Sequence, residues 1–463
     1  MRVLLIAFNI GVGIFMLPCC SKKDYTGGYV PTDSLGRVNK WMLDSMKRYY
    51  YWNSSIPTSP DYSLNTASFF ASLLSVSDRF SWVSDGDSLQ PASNSYFVYG
   101  FHYALLQLPA GAGYLGVVTA VNTGSAAASA GLKRGSYFAR VNDVAINSST
   151  LNSITHILKS RLSISLTLAD YNGVAVLVGK KINLVPGFAS ENAVQYTRTY
   201  SANGIVTGYL NYRSFAENYD AQLIQAITKL KAANINELIL DLRYNAGGSV
   251  ASSAKMAALV ATSLTANDVY AIYQGNAQVG LRTNTLQQVL NTSGNTSGRQ
   301  YSTLQAMGLS LKRIFILTTG GTMSAAELVV NNTKPYLPVI QIGDTTGGKN
   351  EASFLIKDQR MPRQIYWTME PTVYKLFNKN KEGNYETGLV PGYPVDELAF
   401  LPLADVGAVN DPLIAKAFSL IYGSGPYPAG YNNLRQQARI AVTPVYRSAE
   451  EEILRQPARI TYR

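Results

Sequence analysis

The stretch RIFILTTGGTMSAAELVVNNTKPYLPVIQIGDTTGGK, residues 313–349, decides the fold. Its apolar runs Ile314–Leu317 and Val339–Ile342 predict two strands, and the Ala- and Leu-rich residues after Ser324 predict a helix. Strand, helix and strand in this length fit one βαβ unit with a right-handed connection. We therefore expect Ser324 and Lys349 just beyond the carboxyl ends of neighbouring parallel strands, where open α/β sheets place their sites.

The residue types at this edge favour a serine nucleophile with a lysine base. Ser324 lies near the predicted helix N-terminus, whose unpaired N–H groups suit a developing oxyanion. The chain has only two histidines, His102 and His156, and both lie far upstream, so a Ser-His-Asp arrangement has little support. A neutral lysine can activate a serine instead. Taken singly, the serine is also a common helix cap and the lysine a common loop charge.

Four short motifs resemble one known family. They are TMSAAE at 322–327, Gly348–Lys349 one βαβ unit later, LDLR at 240–243 and NAGG at 245–248. These motifs are similar to those of the C-terminal processing peptidases, or tail-specific proteases, which are Ser/Lys serine peptidases of the S41 type. The resemblance covers roughly residues 75–425 and implies a peptidase fold and activity.

The resemblance also implies roles for individual residues. Ser324 would be the nucleophile and Lys349 the general base. Gly247 or Gly248 would form the oxyanion hole together with the N–H group of Ala325. No metal and no cofactor are implied.

A third catalytic residue is less clearly defined. Some members of the family carry a glutamine four residues after the lysine, where it orients the amine. This chain has Ser353 at that position, so Ser353 is the candidate third residue and would give Lys349 one weaker hydrogen bond.

The predicted fold class is an α/β peptidase core, with a mixed, largely parallel sheet and flanking helices, over residues 185–430. A buried strand is predicted at 238–243 and an amphipathic helix at 221–232. Residues 284–300 are rich in Asn, Thr, Ser and Gly and are predicted to be a surface loop. Residues 431–463 are polar and are predicted to be an appendage of unknown role.

Residues 96–184 resemble a PDZ-type module, a small α+β domain. The match rests on GSAAASAGLKRG at 124–135 and Val-Asn-Asp at 141–143. Such modules capture a chain end by strand addition and hold its carboxylate with backbone N–H groups. Gly100 and Phe101 would then belong to the carboxylate-binding, and hence peptide-binding, loop.

Residues 38–95 are predicted to be an N-terminal helical cap. Aromatic and methionine side chains recur at helical spacing, and Pro57 and Pro60 separate two predicted helices. The segment Asp78–Trp82 resembles one that precedes the peptide-binding module in the family, and it is assigned no chemistry.

Residues 1–19 are expected to be an export signal. Arg2 precedes the apolar run Val3–Leu17, which is too short for a comfortable membrane span. Cys20 resembles the lipidated cysteine of a bacterial lipoprotein signal, followed by a polar tether over residues 20–37. The alternative is an ordinary secretory signal or a short anchor. The expected location is the cell envelope, with lipid anchoring on the periplasmic side or at the outer membrane.

Composition and charge narrow the function classes. The formal net charge is +11, but single Lys and Arg residues carry it, and no basic patch or motif for nucleic acid occurs.

The seven residues Gly343–Lys349 fit the spacing of a phosphate-binding loop. However, Asn350 stands where that loop needs Ser or Thr, and Glu351–Ile356 favours a strand over the required helix.

The sequence therefore predicts an exported, lipid-anchored serine endopeptidase that contains a PDZ-like module. Its partners would be polypeptide substrates, unfolded or presented by their C-termini, and the membrane that holds the lipid. Two alternatives remain open: a catalytically inactive peptide-binding lipoprotein on the same fold, and a structural envelope protein. The oligomeric state is not predicted.

A lysine can act as a base near neutral pH only if its surroundings lower its pKa. The pKa of Lys349 must fall from about 10.4 to about 7, which requires on the order of 4.6 kcal/mol against the charged form. Burial between the apolar segments on either side is the expected cause. Because Asp344 and Glu351 would raise this pKa, we expect both carboxylates to point away from the amine.

Overall fold

The computed structural model describes residues 34–86, 98–187, 192–431, 441–451 and 458–459. The expected signal over 1–19, Cys20 and most of the 20–37 tether lie outside these residues. The helices of the described residues are α1 Ser34–Tyr49, α2 Thr66–Ser72, α3 Ala126–Ser129, α4 Leu151–Lys159, α5 Asp220–Ala232, α6 Val250–Val260, α7 Leu286–Asn291, α8 Tyr301–Met307, α9 Ala325–Thr333, α10 Pro412–Tyr422 and α11 Ser448–Glu451.

The strands of these residues form four sheets. In chain order they are β1 Trp82–Asp85, β2 Phe101–Gln107, β3 Tyr114–Val121, β4 Tyr137–Val141, β5 Val144–Ala145, β6 Ile164–Tyr171, β7 Val176–Leu184, β8 Val194–Ala202, β9 Ile205–Tyr212, β10 Glu237–Asp241, β11 Val269–Gln274, β12 Leu281–Thr285, β13 Ile314–Thr318, β14 Val339–Gly343, β15 Glu351–Ser353, β16 Ile356–Lys357, β17 Trp367–Glu370, β18 Thr372–Phe377, β19 Tyr393–Pro394, β20 Thr443–Arg447 and β21 Ala458–Arg459.

The central sheet has the order β19-β14-β13-β10-β9-β8. Every neighbouring pair in it is parallel except β8 with β9. Strands β13 and β14 pair directly, from Ile314 with Val339 to Thr318 with Gly343, and α9 connects them. The predicted βαβ unit and the mixed, largely parallel sheet are therefore confirmed.

Helices cover both faces of this sheet because the buried strands alternate apolar residues to each side. Leu240 and Ile316 pack into the cluster that contains α6 and α9. Ile239 and Phe315 pack into a second cluster with α10. Each fully buried side chain of this kind stabilises the fold by about 1.5–3 kcal/mol. The strand ends are thus held in fixed positions for the loops that follow them.

The loop after β14 connects the central sheet to a second one. That sheet has the order β12-β11-β18-β15-β21, and β15 begins two residues after Lys349. A three-stranded sheet, β1-β17-β16, adjoins it and brings the N-terminal region close. Lys349 consequently lies at the junction of two sheets. Ser324 lies in the loop that follows the carboxyl end of β13 in the central sheet.

The region predicted as a PDZ-type module forms an antiparallel sheet of order β20-β2-β3-β4-β6-β7, with β5 paired to β4. Its core includes Phe138, Ile154 and Leu158, the last two on α4. Arg134 ties this sheet to the remainder of the chain, because its guanidinium lies 2.6 Å from the buried Glu397 carboxylate.

Glu397 belongs to a buried ionic network. Arg243 Nη1 lies 2.9 Å from Glu397 and 2.8 Å from Asp411, and its guanidinium also pairs with Asp241 at 2.6 Å. Although burial alone would raise the pKa of Asp241, the Arg243 charge lowers it below its ordinary value. Removing one member of such a network leaves an uncompensated buried charge, which typically costs about 3–5 kcal/mol.

Three boundaries differ from the predictions. Helix α1 begins at Ser34, inside the predicted tether, because Gly36 and Asn39 are buried against the N-terminal core. The predicted cap over 38–95 also contributes a strand, β1. The predicted loop over 284–300 contains α7, which buries three apolar residues at helical spacing and begins with a capping box; these residues are Leu286, Val289 and Leu290.

The C-terminal residues are the fourth difference. The segment predicted as an appendage places β20 beside β2 and β21 beside β15, so it joins two sheets. The physical reason is that without this segment β2 and β15 would end their sheets with unpaired backbone N–H and C=O groups, which a further strand satisfies. Within the described part of the chain, no helix has the length and apolar character needed to cross a bilayer.

Candidate active site

Ser324 lies at the sharp turn between β13 and α9. Its φ is +55° and its ψ is −117°, a conformation that costs a residue with a side chain roughly 1–3 kcal/mol. Two bonds hold the turn: Met323 N donates to Asn245 O at 2.9 Å, and Thr322 Oγ1 donates to Leu242 O at 2.8 Å. Ser324 is 1% exposed, and its Oγ has no hydrogen-bond partner among the residues described.

Two glycines after β10 line the same turn. Gly247 has φ +100°, and a Cβ there would come within 2.7 Å of Ser324 Cβ and 2.9 Å of Ala325 N. Gly248 has φ +143°, so both positions need glycine. The N–H of Gly247 donates to Asn245 Oδ1 at 2.9 Å. Ala325 N lies in the first turn of α9, where N–H groups have no intrahelical acceptor.

Glu327 connects the serine turn to the lysine loop. The same oxygen, Oε2, accepts the N–H of Ser324 at 2.8 Å and the N–H of Lys349 at 2.8 Å. Oε1 accepts the N–H of Gly348 at 2.8 Å and the hydroxyl of Thr346. Burial raises the pKa of the Glu327 carboxyl, while these hydrogen bonds oppose that effect. One buried side chain thereby fixes the relative positions of the two backbones.

Lys349 is 2% exposed. Its Nζ lies 4.4 Å from the centroid of the Phe80 ring, which covers the amine. Burial lowers the pKa of Lys349 to about 7, although the charges of Glu370 and Glu351 raise it and Arg79 lowers it further. This pKa is the one expected from the sequence for a lysine acting as a base near neutral pH.

The carboxylates of Glu351 and Asp344 were both expected to point away from the Lys349 amine, but only one of them does not act on it. Glu351 is buried on β15, where strand pairing with β18 directs it inward, and its charge acts on Lys349, so that expectation was wrong. Burial raises the pKa of Glu351 to about 7, so the carboxyl carries only part of its charge near neutral pH. Asp344 instead pairs with Arg447 at 3.0 Å.

The segment assigned no chemistry covers the lysine loop. Arg79 donates to the carbonyl oxygens of Gly348 and Glu386, the latter at 3.1 Å. Asp78 Oδ1 accepts the N–H of Phe80 at 2.9 Å, which fixes the ring over the amine. The sequence did not predict Arg79 and Phe80 as site residues. The resemblance of Asp78–Trp82 to the family was the signal that could have found them.

Ser353 and Glu370 form a buried pair beside the lysine. Ser353 Oγ donates to Glu370 Oε1 at 2.8 Å, and Glu370 is fully buried. Glu370 lies on β17, in a different sheet from Ser353, so sequence spacing gave no signal for it. Like Arg79 and Phe80, it is a site residue that the sequence did not predict.

Of the residues predicted for a chain-end loop, Gly100 directly precedes β2 and Phe101 is the first residue of that strand. Gly100 has φ +88°, and a Cβ there would come within 2.0 Å of Ser125 Cβ. Phe101 is fully buried in the core of the sheet that contains β2. His102 follows on β2, with Nδ1 3.5 Å from Ser448 Oγ, and burial lowers its pKa well below the ordinary value.

Comparison with known proteins agrees with this geometry. The family described as Peptidase family S41 matches residues 206–395, and the Peptidase S41 N-terminal domain matches residues 37–82. Together these matches span about half of the chain. No curated protein matches it.

Solved structures of similar fold also exist. A candidate S41 protease from Bacteroides fragilis NCTC 9343 is 23% identical with a TM-score of 0.67, over 86% of this chain and 100% of that chain. A photosystem II D1 C-terminal processing protease is 16% identical with a TM-score of 0.49, over 81% and 95%. At these identities the likeness concerns the fold alone.

The mixed α/β fold with several sheets and the matched family models define the class as a serine-type peptidase. The chain belongs to peptidase family S41. Its substrates are accordingly polypeptides. Among the described residues, no group of three or more His, Cys, Asp or Glu side chains could hold a metal ion.

Proposed function

We propose that the chain is a serine endopeptidase in which Ser324 is the nucleophile and Lys349 the general base. The observation that carries the proposal is the single Glu327 oxygen that binds the backbone N–H groups of both residues at 2.8 Å. It holds the serine turn and the lysine loop against each other. The buried Lys349, with a pKa of about 7, supplies the neutral amine that a base needs near neutral pH.

In the proposed reaction, the Lys349 amine accepts a proton and then donates it, once during acylation of Ser324 and once during deacylation. Lys349 Nζ takes the proton of Ser324 Oγ as the oxygen attacks the scissile carbonyl carbon. The N–H groups of Gly248 and Ala325 bind the oxyanion, since the N–H of Gly247 is already bonded to Asn245. The C–N bond then breaks, and the amine leaves with the proton from Nζ. Water attacks the acyl ester in the same way and restores the serine.

We assign positioning roles to Ser353 and Glu370. Ser353 holds Glu370 through the 2.8 Å hydrogen bond, and the Glu370 charge is the strongest of those that raise the pKa of Lys349. The pair would keep this pKa from falling further, so that the amine remains basic enough to accept the serine proton.

The sheet over residues 96–184 fits a PDZ-like, peptide-binding role. Strand β2 follows Gly100, and α4 packs against the same core, so the edge of β2 that β20 occupies lies next to a helix. A substrate chain end would add to such an edge, and the N–H groups near Gly100 would receive its carboxylate.

A degradation assay tests the proposed function. Wild type and Ser324→Ala should be incubated with a mixture of unfolded proteins, and new termini identified by mass spectrometry. Cleavage by wild type and none by Ser324→Ala is expected, with Ser68→Ala, at an exposed serine of α2 outside the site, as the matched control that keeps activity. Amidation of substrate C-termini should reduce cleavage if the sheet captures chain ends. No new termini with wild type would favour the catalytically inactive peptide-binding alternative.

We also propose that the protein is exported and lipid-anchored through Cys20. The support is the sequence pattern alone, an apolar Val3–Leu17 run followed by Cys20. Cys20→Ser should move the protein from the membrane fraction to the soluble exported fraction, as measured by immunoblotting after fractionation. Cys19→Ser is the matched control and should stay with the membrane. Retention of Cys20→Ser in the membrane would refute the lipid anchor.

A further inference from the structure

The C-terminal segment of the chain occupies the edge of β2. Strand β20 pairs with β2 in antiparallel direction, with Ala104 opposite Arg447 and Gln107 opposite Thr443. The N–H of Tyr103 continues the contact by donating to Ser448 Oγ at 2.8 Å. This edge is the one to which a peptide would add in the proposed function.

The side chains of the segment fill the space between β2 and α4. The Tyr446 ring lies 5.5 Å from the Tyr103 ring of β2, and its centroid lies 5.7 Å from Lys159 Nζ of α4. The Tyr446 hydroxyl donates to Glu451 Oε2 at 2.6 Å, and Glu451 pairs with Lys159. Backbone pairing, an aromatic side chain and an ion pair thus resemble a bound peptide ligand.

The segment also reaches the loops around Ser324 and Lys349. Arg447 pairs with Asp344 at 3.0 Å, in the loop that leads to Lys349. Ala449 and Glu450 lie against the two glycines that precede the serine turn, so close that a Cβ on Gly320 would come within 2.5 Å of Glu450 Oε1. Further on, Ala458–Arg459 pairs in parallel with Ala352–Ser353, just after Lys349.

We infer that residues 443–451 are an intramolecular ligand of the β2–α4 groove and compete there with substrate chains. The inference rests on the proposed peptide-binding role of the sheet. A tethered ligand acts at an effective concentration near the millimolar range, so even a weak contact competes with free substrate. Along β20, Thr443–Arg447, burial is no deeper than intermediate, so this strand can be displaced more readily than a strand of the core.

Tyr446→Ala in the full chain tests the competition. The variant removes the ring between β2 and α4 and keeps every proposed catalytic residue. Tyr446→Phe is the matched control, because it keeps the ring and loses the hydroxyl that donates to Glu451. Glu451→Ala is a milder second variant at a position whose side chain is 39% exposed, so it opens no buried cavity.

Binding of a fluorescent extended peptide with a free carboxylate should be measured by anisotropy in a Ser324→Ala background. If the groove is free about one tenth of the time, opening it tightens the apparent Kd about tenfold. We expect this gain for Tyr446→Ala, a smaller gain for Glu451→Ala and little change for Tyr446→Phe. Added peptide 441–451 should reverse the gain.

Two outcomes would overturn the inference. Equal or weaker peptide binding by a folded Tyr446→Ala and by Glu451→Ala would mean that the segment is only a structural staple. A gain that added peptide 441–451 does not reverse would mean that the segment acts elsewhere. Because binding is read without cleavage, a failure of the proposed peptidase activity would appear separately, as absence of product with the Ser324-containing chain.

Discussion

Lys349→Arg should lose nearly all peptidase activity while the protein stays folded. A guanidinium cannot deprotonate in a protein, so the variant has no group that can take the Ser324 proton. Loss of a positioned general base typically costs about 10²–10⁴-fold in rate. The measurement is kcat/KM on one peptide substrate, with circular dichroism to verify folding.

Lys375→Arg provides the matched control for this change. Lys375 lies on β18 and pairs with Glu386 near the site, and its side chain is 17% exposed. It has no proposed role in proton transfer, so its activity should stay within a few-fold of wild type. Activity of Lys349→Arg within tenfold of wild type would exclude Lys349 as the base, and His102 would then be the next residue to examine.

Glu327→Gln should be the second most damaging change. The carboxylate accepts three backbone N–H groups and one hydroxyl, whereas an amide would present its own NH₂ group to some of these donors. Hydrogen bonds to a charged group contribute about 1.5–3 kcal/mol each, so we expect a loss of roughly 3–5 kcal/mol in the free energy of unfolding. Since Ser324 and Lys349 would lose their common anchor, kcat/KM should fall by about 10²-fold or more.

Glu237→Gln is the control for this change. Glu237 pairs with Arg313 at the partly exposed end of β10, and such pairs contribute about 0–1 kcal/mol. Urea unfolding and kcat/KM should be measured for both variants. A Glu327→Gln protein as stable and as active as Glu237→Gln would show that Glu327 does not position the two loops.

Local patterns were sufficient to predict the central sheet. The apolar runs of β13 and β14 and the helix formers of α9 act over a few residues, so their spacing could be read directly. Helix α7 was missed because its three buried apolar residues lie in a segment whose polar composition favours a loop. The C-terminal strand was missed because its pairing depends on the free edge of β2, more than 300 residues away in sequence.

The residues of the candidate site are also of two kinds: those that local sequence patterns predict and those that depend on tertiary packing. Ser324, Lys349 and the two glycines follow strands whose order is fixed by local patterns, so their convergence at one edge was predictable. Arg79 and Phe80 reach the lysine loop from the segment that precedes β1, and Glu370 reaches it from β17, so only tertiary packing brings them there. The inward direction of Glu351 was predicted wrongly because it depends on the pairing of β15 with β18.

The pH dependence of kcat/KM shows whether Lys349 acts as the neutral base. Lys349 must be neutral to act as a base, so activity should be low at acidic pH and rise with an apparent midpoint near pH 7, a range in which the Glu351 carboxyl also titrates. Glu370→Gln removes a charge that raises the pKa of Lys349, so it should move this midpoint to lower pH. Lys349→Arg should show no such rise. An activity that is independent of pH from 5 to 9, or that rises only near the ordinary lysine pKa of about 10.4, would contradict the account.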